Sequence, residues 1–374
     1  MTPRAAPRLL HVFPSFAVGG AQVRAAALMT RFGDGFSHVV VALDGRFDCT
    51  ERLGPAAPVE TIAFPVRDGE GLPARLRRIR RAIAAAAPDA LVTSNWGSIE
   101  WAMANLVPPR LPHLHMEDGF GPDEATAQKP RRVWTRRLVL RRSRVLLPSL
   151  ALLKAAREQW RLPEARLSYV PNGIDLARFA PRGPRADPAV PGAGPLIGTV
   201  AALRAEKNVA RLLRACAILA REGAPFRLAV IGDGPERAML AALAAELGIA
   251  GRVRFTGHVP DPAAAYRALD LFALSSDTEQ MPFSVIEAMA TALPVAATDV
   301  GDVRAMLAAE NAPHVAARDD AALAGAIGAL LRDGGLRAGI GAANRARAER
   351  DFDQEVMFAR HAALWRNEAP PQRP

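Results

Sequence analysis

"DLFALSSDTEQMPFSVIEAMATALPVAATDVGD", Asp270 to Asp302, reads as a complete strand–helix–strand unit. DLFALSS and PVAATD are short apolar, β-rich runs. Between them Pro282 suits the first turn of a helix, where no intrahelical donor is needed, and Phe283, Ile286 and Ala290 then share one face for burial. That places Glu279 in the loop ahead of the helix and Glu287 roughly a turn and a half into it. The amides of Phe283 and Ser284 open the helix, and free amides at the positive end of the dipole make an anion site. Beside such a site Glu279 is placed for the hydroxyls of a sugar attached to a bound phosphate, and Glu287 for both hydroxyls of a ribose. The plainer reading is a surface helix in which Glu279 favours the dipole and Glu287 is solvated.

The same alternation runs through the chain. RLLHVFP, SHVVVAL, VETIAFP, DALVTSN, PHLHMED, RVLLPS and LSYVPN are strand candidates in the first half; PLIGTVAAL, FRLAVIGDG, RVRFTG, DLFALSS, PVAATD and HVAARD follow in the second. Helical stretches rich in Ala, Leu and Arg separate most of them, the pattern of α/β units on parallel sheets. Residues 180–195, "APRGPRADPAVPGAGP", are dense in Pro, Gly and Ala without periodicity and read as a linker. The expected architecture is therefore two doubly wound domains, 1–179 and 196–352, with a cleft between them. A closing helix and polar tail, 353–374, complete the chain, and the "RNEAPPQRP" end is expected to be disordered. Sequence pattern leaves open which domain the closing helix packs on.

At 374 residues the chain exceeds what one core usually serves. Cys49 and Cys216 lie far apart without metal-type spacing, which argues against a disulfide framework or a zinc site and for a reducing cytoplasm. Arg4 and Arg8 precede an apolar run, but His11 and Pro14 interrupt it, so a first buried strand is expected rather than a signal peptide. No uninterrupted apolar stretch is long enough to span a bilayer. The net charge of +10 favours anionic partners, although an arginine-biased composition gives the same excess without any function.

Four further stretches carry candidate chemistry. In "VAALRAEKNV", Val200–Val209, Arg204 and Lys207 converge at a strand-to-helix turn, where a guanidinium and an ammonium would neutralise a diphosphate. In "FAVGGAQ", Phe16–Gln22, Gly19 and Gly20 permit close backbone approach to a ligand, as Gly232 does in "IGDGPER". Neither is a dinucleotide fingerprint, and either simply turns the chain on the plainer reading. In "PHLHMEDGFG", Pro112–Gly121, His113, His115 and Glu117 share one side of a strand and Asp118 faces the other or opens the loop. Lining a pocket, binding a metal and a purely structural role all remain open for this cluster.

In order and together, these stretches resemble the retaining glycosyltransferases of family 4, which have the two-domain GT-B fold. The resemblance is carried by Gly19–Gly20, "YVPNGIDLARF" (Tyr169–Phe179), "LRAEKN", "VIGDGPER", "VRFTGHV" and the opening stretch, and it covers nearly the whole chain. It implies two Rossmann-like domains facing a central cleft, with a nucleotide-diphospho-sugar held by the second and a glycan or lipid-linked glycan acceptor entering through the first, near Gly19–Gly20. Arg204 and Lys207 would bind the diphosphate, Glu287 the ribose and Glu279 hydroxyls of the sugar. The family uses no metal or other cofactor, cationic side chains and helix amides neutralising the leaving group. Two departures stand out. Gln280 follows the first glutamate where a glycine is frequent, and the first-domain turn is Glu117-Asp118-Gly119 where many members have E-H-G. Either Asp118 or His115 is then the candidate for contact with donor or acceptor hydroxyls.

If acceptors are lipid-linked, attachment to the inner face of the membrane is sensible. Leu72, Leu76, Ile79 and Ile83 share one helical face with Arg77, Arg78 and Arg81 largely outside it, which fits either an anionic membrane surface or packing on the sheet. In Lys129–Arg144 the arginines do not segregate cleanly from Val133, Trp134 and Leu138. Rival functions are a GT-B sugar-nucleotide 2-epimerase and a catalytically silent sugar-nucleotide binder. A nucleic-acid binder is disfavoured, because no recognition module or aromatic-studded basic stretch is present.

Overall fold

All thirteen apolar runs form strands, and every pairing between them is parallel. The computed structural model describes residues 6–55, 57–120, 124, 127–369 and 371. The chain forms two units, Met1–Pro171 with Glu355–Pro374, and Asn172–Gln354. Each is an α/β unit built on one sheet.

In the first unit β1 (Arg8–Phe13), β2 (Ser37–Ala42), β3 (Val59–Ala63), β4 (Ala90–Ser94), β5 (His113–Met116), β6 (Arg144–Leu147) and β7 (Leu167–Tyr169) lie in the order 3-2-1-4-5-6-7. The central strands are buried on both faces, which is why they read as continuous apolar runs rather than alternating ones. Alternation decides which side each residue serves: Leu9, Phe13 and Val40 enter one core, and Leu10, Val12, Val39 and Val41 the other. β3 at the edge is largely exposed and carries Glu60, a charge that discourages further strand pairing.

In the second unit β8 (Leu196–Val200), β9 (Arg227–Ile231), β10 (Val253–Gly257), β11 (Leu271–Leu274), β12 (Val295–Thr298) and β13 (Val315–Ala316) lie in the order 10-9-8-11-12-13. Both sheets thus reverse their direction of growth once, between β1 and β4 and between β8 and β11. Such a reversal opens a crevice beyond the carboxyl ends of the two strands.

The division between units differs from the sequence expectation. Asn172–Phe179 lies with the second unit, where Ile174 and Phe179 are core residues. Residues 180–195 do not hang between units. Val190 is buried in the same core, Ala186 N–H donates to Ala264 O at 2.9 Å, and Arg267 donates to Pro184 O at 2.6 Å. Proline and glycine remove periodicity from this stretch without removing its packing. The closing helix, Gln354–Trp365, belongs to the first unit from Glu355 onward. Of the tail expected to be disordered, residues 370 and 372–374 lie outside the described residues, as does Gly121.

Trp365 anchors that helix edge-on against His11, Phe36 and His38, with ring centroids 5.4 Å away in each case. Trp365→Ala should therefore destabilise the protein by about 3–5 kcal/mol, read as a lower urea midpoint. An unchanged midpoint would detach the helix from the core.

Candidate functional site

The crevice of the second unit is built from the loops after β8 and β11, and it brings Lys207 and Glu279 together, with Arg204 three residues earlier in the first of these loops. Lys207 Nζ lies 2.6 Å from Glu279 Oε1, and Ser276 Oγ donates to the same oxygen at 2.8 Å. Further bonds tie the two loops. Asp277 N–H donates to Glu206 O at 2.9 Å, Ser275 Oγ to Lys207 O at 3.1 Å, and Asn208 Nδ2 to Asp277 Oδ2 at 2.9 Å. Buried Arg211 closes the set, donating to Ser275 O at 2.8 Å and pairing with Asp277 at 2.7 Å. The Arg204 side chain is exposed and makes no hydrogen bond or ion pair among the described residues.

Pro282 is the N-cap rather than the first helical residue, and the helix runs Phe283–Ala290. The amides of Phe283 and Ser284 therefore occupy its first turn, where no intrahelical acceptor exists. The approach to that turn is held from two sides. Asn172, from the "VPNGID" motif, donates its side-chain N–H to Met281 O at 2.9 Å. Asp302 N–H donates to Gln280 O at 2.9 Å. Gly301, at φ +52°, lies so close to the Glu279 and Gln280 carbonyls that an added Cβ would overlap them.

Glu287 sits deeper and is partly buried rather than solvated as in the plainer reading. Burial pushes its carboxyl up to about 7, against the pull of a hydrogen bond with the Tyr266 hydroxyl and the charge of Arg178. Tyr266 is itself fully buried, its hydroxyl oxygen 3.2 Å from Ser284 O, so one proton serves two acceptors. Gly232 serves the backbone of the site. At φ +140° its missing Cβ makes room for the Ala201 carbonyl, and Leu203 N–H reaches Asp233 O at 2.9 Å. The loop carrying Arg204 is thereby laid on the loop after β9.

In the first unit Gly19 caps the helix Gly20–Arg31 in an extended conformation open to any residue, and no ligand-specific demand on it is visible. Asp118 meets Arg24 of that helix at 2.6 Å, and its backbone N–H donates to Asn95 Oδ1 at 2.7 Å. Its second carboxylate oxygen is buried without a hydrogen-bond partner among the described residues.

His115 is not available to a ligand, contrary to the expectation of a pocket-lining role. It is fully buried, with Nδ1 2.8 Å from Thr93 Oγ1 and Nε2 3.5 Å from Glu117 Oε2. His113 continues the chain through the same Thr93 hydroxyl and through Ser143 at 2.7 Å, and burial lowers its pKa to about 3. Glu117 accepts from Arg136 at 3.1 Å. Both histidines of the cluster are thus engaged in internal bonds, while among the described residues one carboxylate oxygen of Glu117 and one of Asp118 have no hydrogen-bond partner. Among the described residues no group of three or more His, Cys, Asp or Glu is placed to hold a metal. Beyond the carboxyl ends of β2, β3 and β4 lies a cavity of about 110 Å³, lined among others by Phe64, Arg75, Arg78, Glu100 and Trp101.

Sequence reasoning missed Ser276, Asn208, Asp277, Arg211, Arg24 and Tyr266. Asn208 had a local signal, since it directly follows the lysine and caps the next helix through Arg211 N–H at 3.1 Å. Tyr266 and Arg24 had none.

Two family models match this chain: "Glycosyltransferase Family 4" over residues 18–178 and "Glycosyl transferases group 1" over residues 185–347. Among curated proteins, the 2-deoxystreptamine glucosyltransferase of Streptomyces kanamyceticus is 41% identical over 29% of this chain and 28% of its own length. The putative colanic acid biosynthesis glycosyltransferase WcaL of Escherichia coli is 28% identical over 60% of this chain and 57% of its own. The putative glycosyltransferase EpsF of Bacillus subtilis is 27% identical over 78% and 79%. The chain therefore spans less than two thirds of the first two. Among solved structures, sucrose-phosphate synthase of Thermosynechococcus elongatus superposes with a TM-score of 0.78 at 20% identity, covering 96% of this chain and 98% of that one. HepE of Anabaena, solved with UDP-glucose, gives 0.78 at 18%, covering 96% and 100%. At such identities the likeness is one of fold.

The state of Glu287 makes a direct prediction. Its folded value of about 7 lies above the ordinary 4.5, so between those pH values the folded protein keeps a proton that the unfolded chain has lost. Stability then falls as pH rises through that window and levels off above it. Glu287→Gln should raise the melting temperature relative to the parent at about pH 8 and leave the difference near zero at about pH 4. A difference that does not change with pH would show an ordinarily ionised carboxyl.

Proposed function

We propose that the chain is a glycosyltransferase of family 4 that moves a hexose from a nucleotide-diphospho-sugar to a hydroxyl of a glycan or lipid-linked glycan, with retention at the anomeric carbon, in the assembly of a surface polysaccharide. The observation that carries this reading is the juxtaposition of Lys207 and Glu279 at 2.6 Å in the crevice after β8 and β11, beside the first turn of the helix Phe283–Ala290.

In this reading the diphosphate takes the Lys207 ammonium, the exposed Arg204 guanidinium and the amides of Phe283 and Ser284 as its partners. Those groups neutralise the charge that develops as the sugar–phosphate bond breaks. When Lys207 turns to the diphosphate, Glu279 remains fixed by Ser276 and accepts hydrogen bonds from the sugar hydroxyls. Glu287 takes the ribose, its raised carboxyl regaining polar partners in the hydroxyls. The acceptor hydroxyl attacks the anomeric carbon from the face the diphosphate leaves, and the departing phosphate oxygen takes its proton. No enzymic nucleophile and no metal is required. Asp118, with one carboxylate oxygen lacking a hydrogen-bond partner among the described residues, is the first-unit candidate for contact with donor or acceptor hydroxyls.

A thermal-shift screen against UDP-, GDP-, ADP- and TDP-sugars identifies the donor, and proton NMR of the product reads the anomeric configuration. Arg204→Ala and Lys207→Ala should each lower turnover about ten- to a hundredfold, the loss of one charged hydrogen bond to phosphate, with the circular dichroism unchanged. Parent-level turnover in Arg204→Ala would remove that residue from the mechanism, and an inverted product would exclude same-face attack.

A further inference from the structure

The helix Pro130–Val139 buries an arginine and leaves two large apolar side chains in solvent. Its Arg136 is fully buried, while Trp134 is 58% and Leu138 67% exposed. Arg136 sets this rotation. It pairs with Glu117 at 3.1 Å and Glu124 at 3.5 Å, and its guanidinium lies 5.0, 5.4 and 5.1 Å from the ring centres of Trp96, Phe120 and Trp160. Val139 and Leu140 are buried on the same side. The opposite stripe runs Arg131, Trp134, Leu138 and Arg141, all exposed and spaced as one helical face. Arg137 stacks over Trp134 at 4.9 Å, and Arg142 is exposed beside the stripe. From Gln128 to Arg144 there is no acidic residue, and Arg131, Arg137, Arg141 and Arg142 have no carboxylate partner among the described residues.

Burying a guanidinium while leaving an indole and a leucine in water reverses what the hydrophobic effect favours. A second environment, apolar inside and anionic at its surface, removes that conflict. We propose that this stripe docks the protein on an anionic lipid bilayer, with Trp134 and Leu138 entering the headgroup–acyl boundary and Arg131, Arg137, Arg141 and Arg142 meeting lipid phosphates. Trp belongs at that depth because one end of the ring is apolar and the other polar, and each nearby arginine adds to binding on a negative surface.

The surface expected from sequence, Leu72–Ile83, is otherwise engaged. Ile79 is buried, Leu76 and Ile83 pack on the first-unit core, Arg78 pairs with Glu70 at 2.7 Å, and Arg80 donates to the Ala104, Val107 and Pro108 carbonyls. Of its apolar face, Leu76, Ile79 and Ile83 belong to the core and only Leu72, at the helix start, is exposed. The proposal does not depend on the transfer reaction, since membrane attachment is measured without any sugar donor.

The test is co-sedimentation of the full chain with phosphatidylglycerol vesicles and with phosphatidylcholine vesicles. Pelleting is expected with the anionic lipid and to weaken with added salt. Trp134→Ser with Leu138→Ser should lower the partition coefficient at least about tenfold, as should Arg131→Gln with Arg141→Gln and Arg142→Gln, with the melting temperature close to the parent's. Arg77→Gln with Arg81→Gln, on the other helix, should bind as the parent does. Four results would each overturn the proposal: no lipid-dependent pelleting, parent-like binding by the Trp134/Leu138 variant, a parent dimer that those substitutions dissociate, or duplex DNA bound as tightly as the vesicles.

Discussion

The bond between the Lys207 ammonium and the Glu279 carboxylate closes a gap that the sheet topology opens. β8 and β11 are neighbours, but the chain leaves them in opposite directions, and without cross-links the loops beyond them would splay. The bonds through Asp277, Ser275, Asn208 and Arg211 prevent this, so the charged side chains converge at fixed positions. The charges are also poised for exchange. Lys207 keeps about a quarter of its side chain in solvent, while Glu279 keeps a second donor in Ser276. In the proposed reaction a diphosphate would draw the lysine away without leaving the carboxylate unsatisfied.

The first unit repeats the device in a harder form. Its cation, Arg24, comes from the helix after β1, as Lys207 comes from the loop after β8, and its carboxylate, Asp118, comes from beyond β5. Behind that pair, polar groups run through the core from Ser143 by His113, Thr93, His115 and Glu117 to Arg136. The chain fixes the β5 end and, through Arg136, the rotation of the next helix. A single buried cation thus links the shape of the strand ends to what the outer surface presents.

Much of this was legible in the sequence because parallel strands buried on both faces leave apolar runs that hardly anything else produces. The thirteen runs and the placing of Arg204, Lys207, Glu279 and the Phe283 helix start came from that pattern. The same double burial misled the reading of His115. Period-two spacing says which residues share a side of β5, but in a doubly covered sheet neither side is a pocket. The domain boundary was misplaced because composition marked 180–195 as loose, while the groups that hold it, such as Arg267, lie some eighty positions later. Lys207 and Glu279 are 72 residues apart, so each could be named from its own loop but their pairing could not. The rotation of the helix Pro130–Val139 was invisible for a similar reason: it is set by Glu117 and Glu124, outside the stretch itself.

The most direct measurement is a crystal structure with a nucleoside diphosphate bound. The account predicts phosphate oxygens at hydrogen-bond distance from Lys207 Nζ and from the amides of Phe283 and Ser284, with Glu279 released from the lysine and still bonded to Ser276. A nucleotide bound elsewhere, with the Lys207–Glu279 bond intact, would contradict it.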